Sequence, residues 1–232
     1  MIPAHNEENY LPKTLNSVFE AFRDIGFQGE VVVVNDASTD DTREVAKSHG
    51  ARVIDVELRN IGAVRNAGAK ATETPWLIFL DADTCLPAET LSAALDQLAQ
   101  GAAGGGAMVE MSATQRISML KWGIFYAIKI IWQSIGGWAA GCFMYCRRDI
   151  FEEFGGFQEE YFVAEELFFS KSVKRLGKFS LLRQPVLTSA RKMEAYSTFE
   201  LLRFVTLPIL RPATLFKTRY GLELLYDDEK AR

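Results

Sequence analysis

The stretch EVVVVNDASTDDTREVAKSHGARVIDVEL, Glu30 to Leu58, decides the fold. Four consecutive valines, Val31 to Val34, run into Asn35 and Asp36. A continuous β-branched run ending at polar residues is what a parallel strand covered on both faces requires. The polar stretch that follows reads as a helix, with Ser38 and Asp41 spaced as a capping box and Gly50 where a C-terminal cap stands. ARVIDVEL, from Ala51, is the next strand. Strand, helix, strand at this spacing is a right-handed crossover between parallel strands.

The alternation continues downstream. IGAVRNAGAKAT is a small-residue helix, WLIFL a third buried strand, and AETLSAALDQLAQG the helix after it. The order predicts an α/β fold with a mostly parallel central sheet and helices on both faces. In such sheets ligands bind beyond the carboxyl ends of the strands. Asn35 and Asp36 end one strand, and Asp81 and Asp83 end another, so one acidic site on one rim is expected. Strand alternation points Asp81 and Asp83 the same way, as a pair of hard oxygen ligands suited to Mg²⁺ or Mn²⁺ and to the phosphates such an ion holds. An aspartate after a strand also commonly caps the next turn, so the pair alone does not decide the chemistry.

Composition narrows the class. The chain has 232 residues, 48% of them hydrophobic, enough for one sizeable core. Three cysteines without CxxC spacing suggest neither a disulfide framework nor a zinc knuckle. No basic, then apolar leader opens the sequence, and a cytoplasmic setting is the expectation. The net charge of -4 argues against a nucleic-acid binder. Yet no acidic residue occurs from Thr114 to Arg148, where Arg116, Lys121, Lys129, Arg147 and Arg148 make a locally basic surface. The glycines of GAAGGG, Gly101 to Gly106, lack the Gly-Lys-Ser/Thr ending of a phosphate loop and read as a flexible helix exit.

Several spaced motifs, IPAHNEENYLPKTLNSV, VVVVNDASTDDT, RNIGAVRNAGAKA, LIFLDADT and GGFQEEYFVAEELFFSKSVKRLG, occur in the order of family 2 glycosyltransferases. The chain resembles that family from about Ile2 to Gly177. The resemblance implies a GT-A type, Rossmann-like sandwich and inverting transfer of a sugar from a UDP-sugar or GDP-sugar donor. The acceptor would be a saccharide or lipid-linked group, attacked at a hydroxyl or phosphate. It further implies that Pro3 and Glu7 lie in the loop contacting the nucleoside, that Asp36 recognises the base, and that Arg65 lies near the nucleotide sugar. Asp81 and Asp83 match the D-x-D motif, with Asp83 on the metal and Asp81 on the nucleotide or the same ion. Glu165 and Glu166 represent the late acidic pair, with Glu166 at the position of the catalytic base. Adjacent helical residues diverge, so only one of the two is expected to face the site.

The departures carry expectations of their own. Only Met1 and Ile2 precede Pro3, so the first strand reads as truncated, with a native start upstream or a less stable product. Phe168 stands where a further acid is usual, and no late histidine completes a metal shell; Arg191 or Lys192, in TSARK, would supply phosphate contacts instead. The absence of a Gln-x-x-Arg-Trp motif argues against a processive synthase. Two rival readings remain. One is a non-catalytic or degenerate nucleotide-sugar binder; the other is a nucleotidyltransferase, which would need a glycine-rich loop that IPAHNEENYL is not.

Residues 1-192 are expected to form the transferase domain, with the nucleotide-binding half at about 1-100 and the acceptor-side half at about 101-192. Residues 193-232 form an apolar and basic extension. Ile117 to Trp138 is apolar almost all round, with Trp122, Tyr126, Trp132 and Trp138 among Lys121 and Lys129. It is either a helix buried on the sheet or on a second subunit, or a helix in the interface at the inner face of a membrane. Phe199 to Arg219, broken by Pro208 and Pro212, repeats the apolar-basic character.

Overall fold

The structure is a computed structural model that describes residues 1-112, 117-161, 165-195 and 197-199. The first half runs β1 (Ile2–Ala4), α1 (Leu11–Ile25), β2 (Val32–Asp36), α2 (Thr42–Ser48), β3 (Arg52–Val56), α3 (Ile61–Lys70), β4 (Trp76–Leu80), β5 (Thr84–Cys85) and α4 (Ala88–Ala99). The second half runs β6 (Gly104–Met111), α5 (Met119–Lys129), a π-helical segment (Ile130–Ile135), β7 (Phe143–Arg147), α6 (Arg148–Glu153), α7 (Glu165–Leu176), β8 (Phe179–Thr188) and α8 (Arg191–Ala195).

The valine run forms β2 because both its faces are covered. Val31 and Val33 pack with Leu11, Leu15 and Val18 of α1, while Val32 and Val34 pack with Val64 of α3. Each such buried valine contributes roughly 1.5 kcal/mol or more. The sheet β1-β2-β3 is parallel throughout, as the crossover pattern requires. The other sheet, β4-β7-β6-β8-β5, is mixed, since β7 runs antiparallel to both β4 and β6. Met1 joins the two: its backbone nitrogen donates to the Ile78 carbonyl at 2.6 Å, and its carbonyl accepts from Leu80 N at 3.1 Å. The short β1 thus supplies the strand that β2 needs, in the register Ile2↔Val33 to Ala4↔Asn35, with all three residues buried.

Three expectations change in the folded chain. The capping box does not form: Asp41 makes no side-chain cap to α2, and Ser38 Oγ instead accepts from Asn6 N at 3.0 Å. Of the six residues of GAAGGG, the last three are not a helix exit but the start of β6. A Cβ at Gly105 would stand 1.8 Å from the Ser180 carbonyl oxygen, and one at Gly104 would stand 2.5 Å from that of Tyr145, so the neighbouring strands need glycine there. Finally, α5 is not a helix buried on the sheet. None of its residues is buried, and Met119 at 91%, Leu120 at 64% and, in the π segment, Ile135 at 76% face solvent. The π segment is anchored through buried Gln133, which donates to the Ala107 carbonyl at 2.8 Å and accepts from Val109 N at 3.2 Å. Among the described residues no helix is long and apolar enough to cross a membrane. The part of the apolar-basic extension from residue 200 onward lies outside the described residues.

Candidate active site

The carboxyl ends of β1, β2 and β3 make the rim. Just beyond each of them one non-glycine residue adopts left-handed backbone: Asn6 at φ 55°, Ala37 at φ 53° and Arg59 at φ 50°. Such conformations cost on the order of 1 kcal/mol or more each and persist where surrounding contacts over-determine them. The contacts are present. Thr39 N donates to Asn6 Oδ1 at 2.8 Å. Asp36, buried at the end of β2, accepts from Leu58 N at 2.7 Å and Arg59 N at 2.9 Å. His5 Nδ1 lies 2.6 Å from the Asp36 carbonyl, and Asn6 Nδ2 and an Arg59 guanidinium nitrogen approach Nε2. Those donors place the ring proton on Nδ1. Asp36 therefore tethers the β3-α3 loop at the rim, and Pro3 is buried within β1 one strand away.

The D-x-D loop is held from three sides. Thr14 Oγ1 donates to the Ala82 carbonyl at 2.8 Å, Asp81 N to the Cys142 carbonyl at 3.1 Å, and Ser189 N to the Asp83 carbonyl at 3.1 Å. The last bond extends the pairing of β5 with β8, in which Thr84 sits opposite Thr188. That pairing delivers Arg191 to the site. Its Nε lies 3.0 Å from Asp83 Oδ2, its two terminal nitrogens bind both oxygens of Glu7, and its guanidinium stacks over Tyr10 at 4.4 Å. Glu7, Asp83 and Arg191, from opposite ends of the chain, form one ionic cluster.

Arg65 of α3 occupies the interior rather than the cleft surface, at 1% exposure. Nη1 donates to Glu165 Oε1 at 2.7 Å, and Nη2 donates to Asp81 Oδ1 at 2.9 Å and the Gly141 carbonyl at 2.8 Å. The adjacent acids converge instead of diverging. A Cβ at Gly141 would stand 3.7 Å from Glu165 Oε1 and 4.0 Å from Glu166 Oε2. Burial, and next the charge of Glu165, push the Glu166 carboxyl well above the usual range, to about 8. Helix α3 also braces the loop leading to α7: Asn66 Nδ2 donates to the Phe157 carbonyl at 2.8 Å and Asn66 Oδ1 accepts from Phe157 N at 2.8 Å, while Asn60 Nδ2 donates to the Glu159 and Tyr161 carbonyls. Tyr10, Asn60, Asn66 and Gly141 escaped the sequence reading. Only Asn60 carried a local signal, as the cap whose side chain accepts from Ala63 N.

Asp81 and Asp83 could offer a divalent cation one free carboxylate oxygen each, since Arg65 takes Asp81 Oδ1 at 2.9 Å and Arg191 lies 3.0 Å from Asp83 Oδ2; no group of three or more His, Cys, Asp or Glu side chains able to cage an ion occurs among the described residues. The rest of its coordination would come from phosphate and water, the usual situation for Mg²⁺.

The fold is of the GT-A type, shared with solved glycosyltransferase structures. Residues 1-155 match Glycosyl transferase family 2, and the chain belongs to that family. An uncharacterised glycosyltransferase of Mycobacterium tuberculosis is 34% identical over 102 residues, 44% of each chain, so this chain spans less than half of that relative. An undecaprenyl-phosphate 4-deoxy-4-formamido-L-arabinose transferase of Pseudomonas paraeruginosa is 36% identical over 108 residues, 44% of this chain and 32% of that one. Among solved structures, Staphylococcus aureus TarS (1-349) in complex with UDP-GlcNAc superposes at a TM-score of 0.63 with 21% identity, covering 97% of this chain and 69% of that one. A Pyrobaculum calidifontis mannosyltransferase in complex with GDP-Man and Mn²⁺ gives 0.63 with 17% identity, over 99% and 69%. At these identities the structural likeness speaks for the fold.

Proposed function

We propose that the protein is an inverting glycosyltransferase that moves a sugar from a nucleoside-diphosphate sugar to an acceptor oxygen. The observation that carries this reading is the convergence of Asp81 of the D-x-D loop and Glu165 of the late acidic pair on the single buried guanidinium of Arg65. Pro3, Glu7 and Asp36 line the nucleoside side, and Arg191 provides the positive charge for the diphosphate. Asp83, with Asp81, would hold Mg²⁺ or Mn²⁺, which when bound neutralises charge on the departing diphosphate. The acceptor hydroxyl gives its proton to Glu166 while its oxygen forms the new bond to carbon 1 of the sugar. The bond from carbon 1 to the diphosphate oxygen breaks, and its electron pair leaves with the nucleoside diphosphate. One displacement with a base opposite the leaving group inverts the anomeric centre.

A lipid-linked acceptor is the second element of the proposal, favoured by the exposed apolar surface of α5 and the π segment within a stretch without acidic residues. The rival reading, a nucleotide-sugar binder without turnover, retains the rim but does not require Glu166. Glu166→Gln should leave nucleoside-diphosphate binding intact and abolish transfer, and Asp83→Ala should abolish both metal-supported binding and transfer. Transfer undiminished in Glu166→Gln, or in wild type with excess chelator, would overturn the base or the metal assignment respectively.

A further inference from the structure

We propose that Arg191 is a stand-in cation: in the unliganded protein its guanidinium bridges Asp83 and Glu7, and it gives up Asp83 when the donor's diphosphate and a divalent cation arrive. The inference rests on the reading of Asp83 as a metal ligand and deepens it, by naming the side chain with which the ion competes.

The D-x-D loop already carries neutralising charge. Arg65 holds Asp81 Oδ1 at 2.9 Å and Arg191 lies 3.0 Å from Asp83 Oδ2, so each aspartate faces one guanidinium. The two arginines differ in how firmly they are held. Arg65 is fully buried, with its terminal nitrogens bonded to Glu165, Asp81 and the Gly141 carbonyl. Arg191 is the first residue of the five-residue helix α8, and its side chain is 15% exposed. Its two terminal nitrogens bind the two oxygens of Glu7, and its face rests on the Tyr10 ring at 4.4 Å. Only Nε turns to Asp83. That nitrogen is buried and has no hydrogen-bond partner among the described residues, so its 3.0 Å approach to Oδ2 is an ion contact without hydrogen-bond alignment.

A buried N–H without an acceptor is a cost that a ligand oxygen relieves. Arg191 therefore keeps a two-point anchor on Glu7 while its third donor stays unmet beside Asp83. A phosphate oxygen accepts from a guanidinium in the same planar geometry as a carboxylate. A diphosphate at the rim satisfies Nε and takes over the charge of Arg191, which leaves both oxygens of Asp83 open to a cation. Without the diphosphate, the positive charge of Arg191 beside Asp83 opposes a second cation there. Arg191 thus couples the two ligands: the diphosphate that draws it from Asp83 favours the ion, and the ion favours the diphosphate by the same factor. A residue that only fastened the end of β8 to the loop of Glu7 would have no need of an unpaired Nε at Asp83.

The test is Mn²⁺ binding in the absence of nucleotide, read from the electron paramagnetic resonance signal of the free ion, in wild type and Arg191→Gln. Removing the stand-in charge should tighten Mn²⁺ about tenfold. In the same variant, whichever of UDP and GDP wild type binds should bind about tenfold more weakly by calorimetry at saturating Mn²⁺, since the diphosphate loses its guanidinium. Opposite signs are the signature. A residue that merely holds the fold would weaken both ligands, and one that only contacts phosphate would leave Mn²⁺ unchanged; either result in Arg191→Gln overturns the proposal. Arg191→Lys keeps a charge but loses both the fork on Glu7 and the Nε that faces Asp83, and it should tighten Mn²⁺ about threefold. Where the glutamine variant folds poorly, an unchanged or weaker Mn²⁺ affinity in the lysine variant overturns the proposal equally. Mn²⁺ bound as tightly by Asp83→Ala as by wild type would instead overturn the metal assignment itself, a different result in a different protein.

Discussion

At the scale of the residue, Glu166 carries the sharpest consequence. Its carboxyl is raised above the ordinary value because burial and Glu165 both disfavour its charge. A carboxyl whose folded value exceeds its unfolded one contributes stability fully present below the unfolded value and lost as pH rises through the folded one, here about 8. Each unit of that difference is worth about 1.4 kcal/mol. Wild type should therefore lose stability relative to Glu166→Gln between about pH 5 and pH 8, where the glutamine variant has no proton to release. Chemical denaturation at several pH values measures this, and a constant difference between the two proteins would show that Glu166 titrates normally in the unliganded fold.

At the scale of the element, β6 shows how a strand is written for its neighbours. Gly104, Gly105 and Gly106 pair with β7 on one side and β8 on the other, and each would place a Cβ within 2.6 Å of a neighbouring atom, backbone carbonyl oxygens for the first two. Backbone cannot swing aside as a side chain does. Gly105→Ala is thus expected to destabilise the fold by about 3 kcal/mol or to prevent folding, whereas an alanine at Gly101, at the helix exit with open space around it, is limited by its φ of 87° to about 1 kcal/mol. Thermal melting of both variants distinguishes the two cases, and equal losses would refute the close-packing account. Helix α3 makes the complementary point. It was legible as a helix from its small residues, but its buried Asn60, Arg65 and Asn66 are polar because they serve partners at the start of α7 and the loop before it.

At the scale of the whole molecule, the acidic rim and the exposed apolar surface are separate features of one chain. Leu120, Ile130, Ile131 and Ile135 are all more than half exposed, and Lys129 stands beside the Tyr126 ring at 5.8 Å. An apolar surface with basic residues suits the boundary of an anionic bilayer. Binding to anionic vesicles is expected, weakening as salt rises because the charge component is screened. Ile131→Ser combined with Ile135→Ser should reduce it about tenfold without altering the thermal midpoint, since neither side chain is buried. A protein that ignores such vesicles at low salt and sediments as a dimer would assign the surface to a second copy instead.

Local pattern was enough for part of the first hundred residues, though α1 and β5 were not read from it. The valine run, the helix between Thr42 and Ser48, the strand before Asp81 and the helix after Pro87 all follow from side-chain periodicity and chain punctuation, which need no knowledge of distant partners. That Asp36 ends β2 and Asp81 follows β4 was legible too, because each buried apolar run stops at its first polar residues. What the tertiary structure alone decided are relations between residues far apart: Arg65 with Glu165 at 100 positions and Arg191 with Glu7 at 184, the glycines of β6 opposite Ser180 and Tyr145, and Ser38 turned from its helix to Asn6. A charge or a glycine looks the same in sequence whether it faces water or a buried partner. Its role is set by what the folded chain places within about 3 Å of it, because hydrogen bonds and close packing act only at that range.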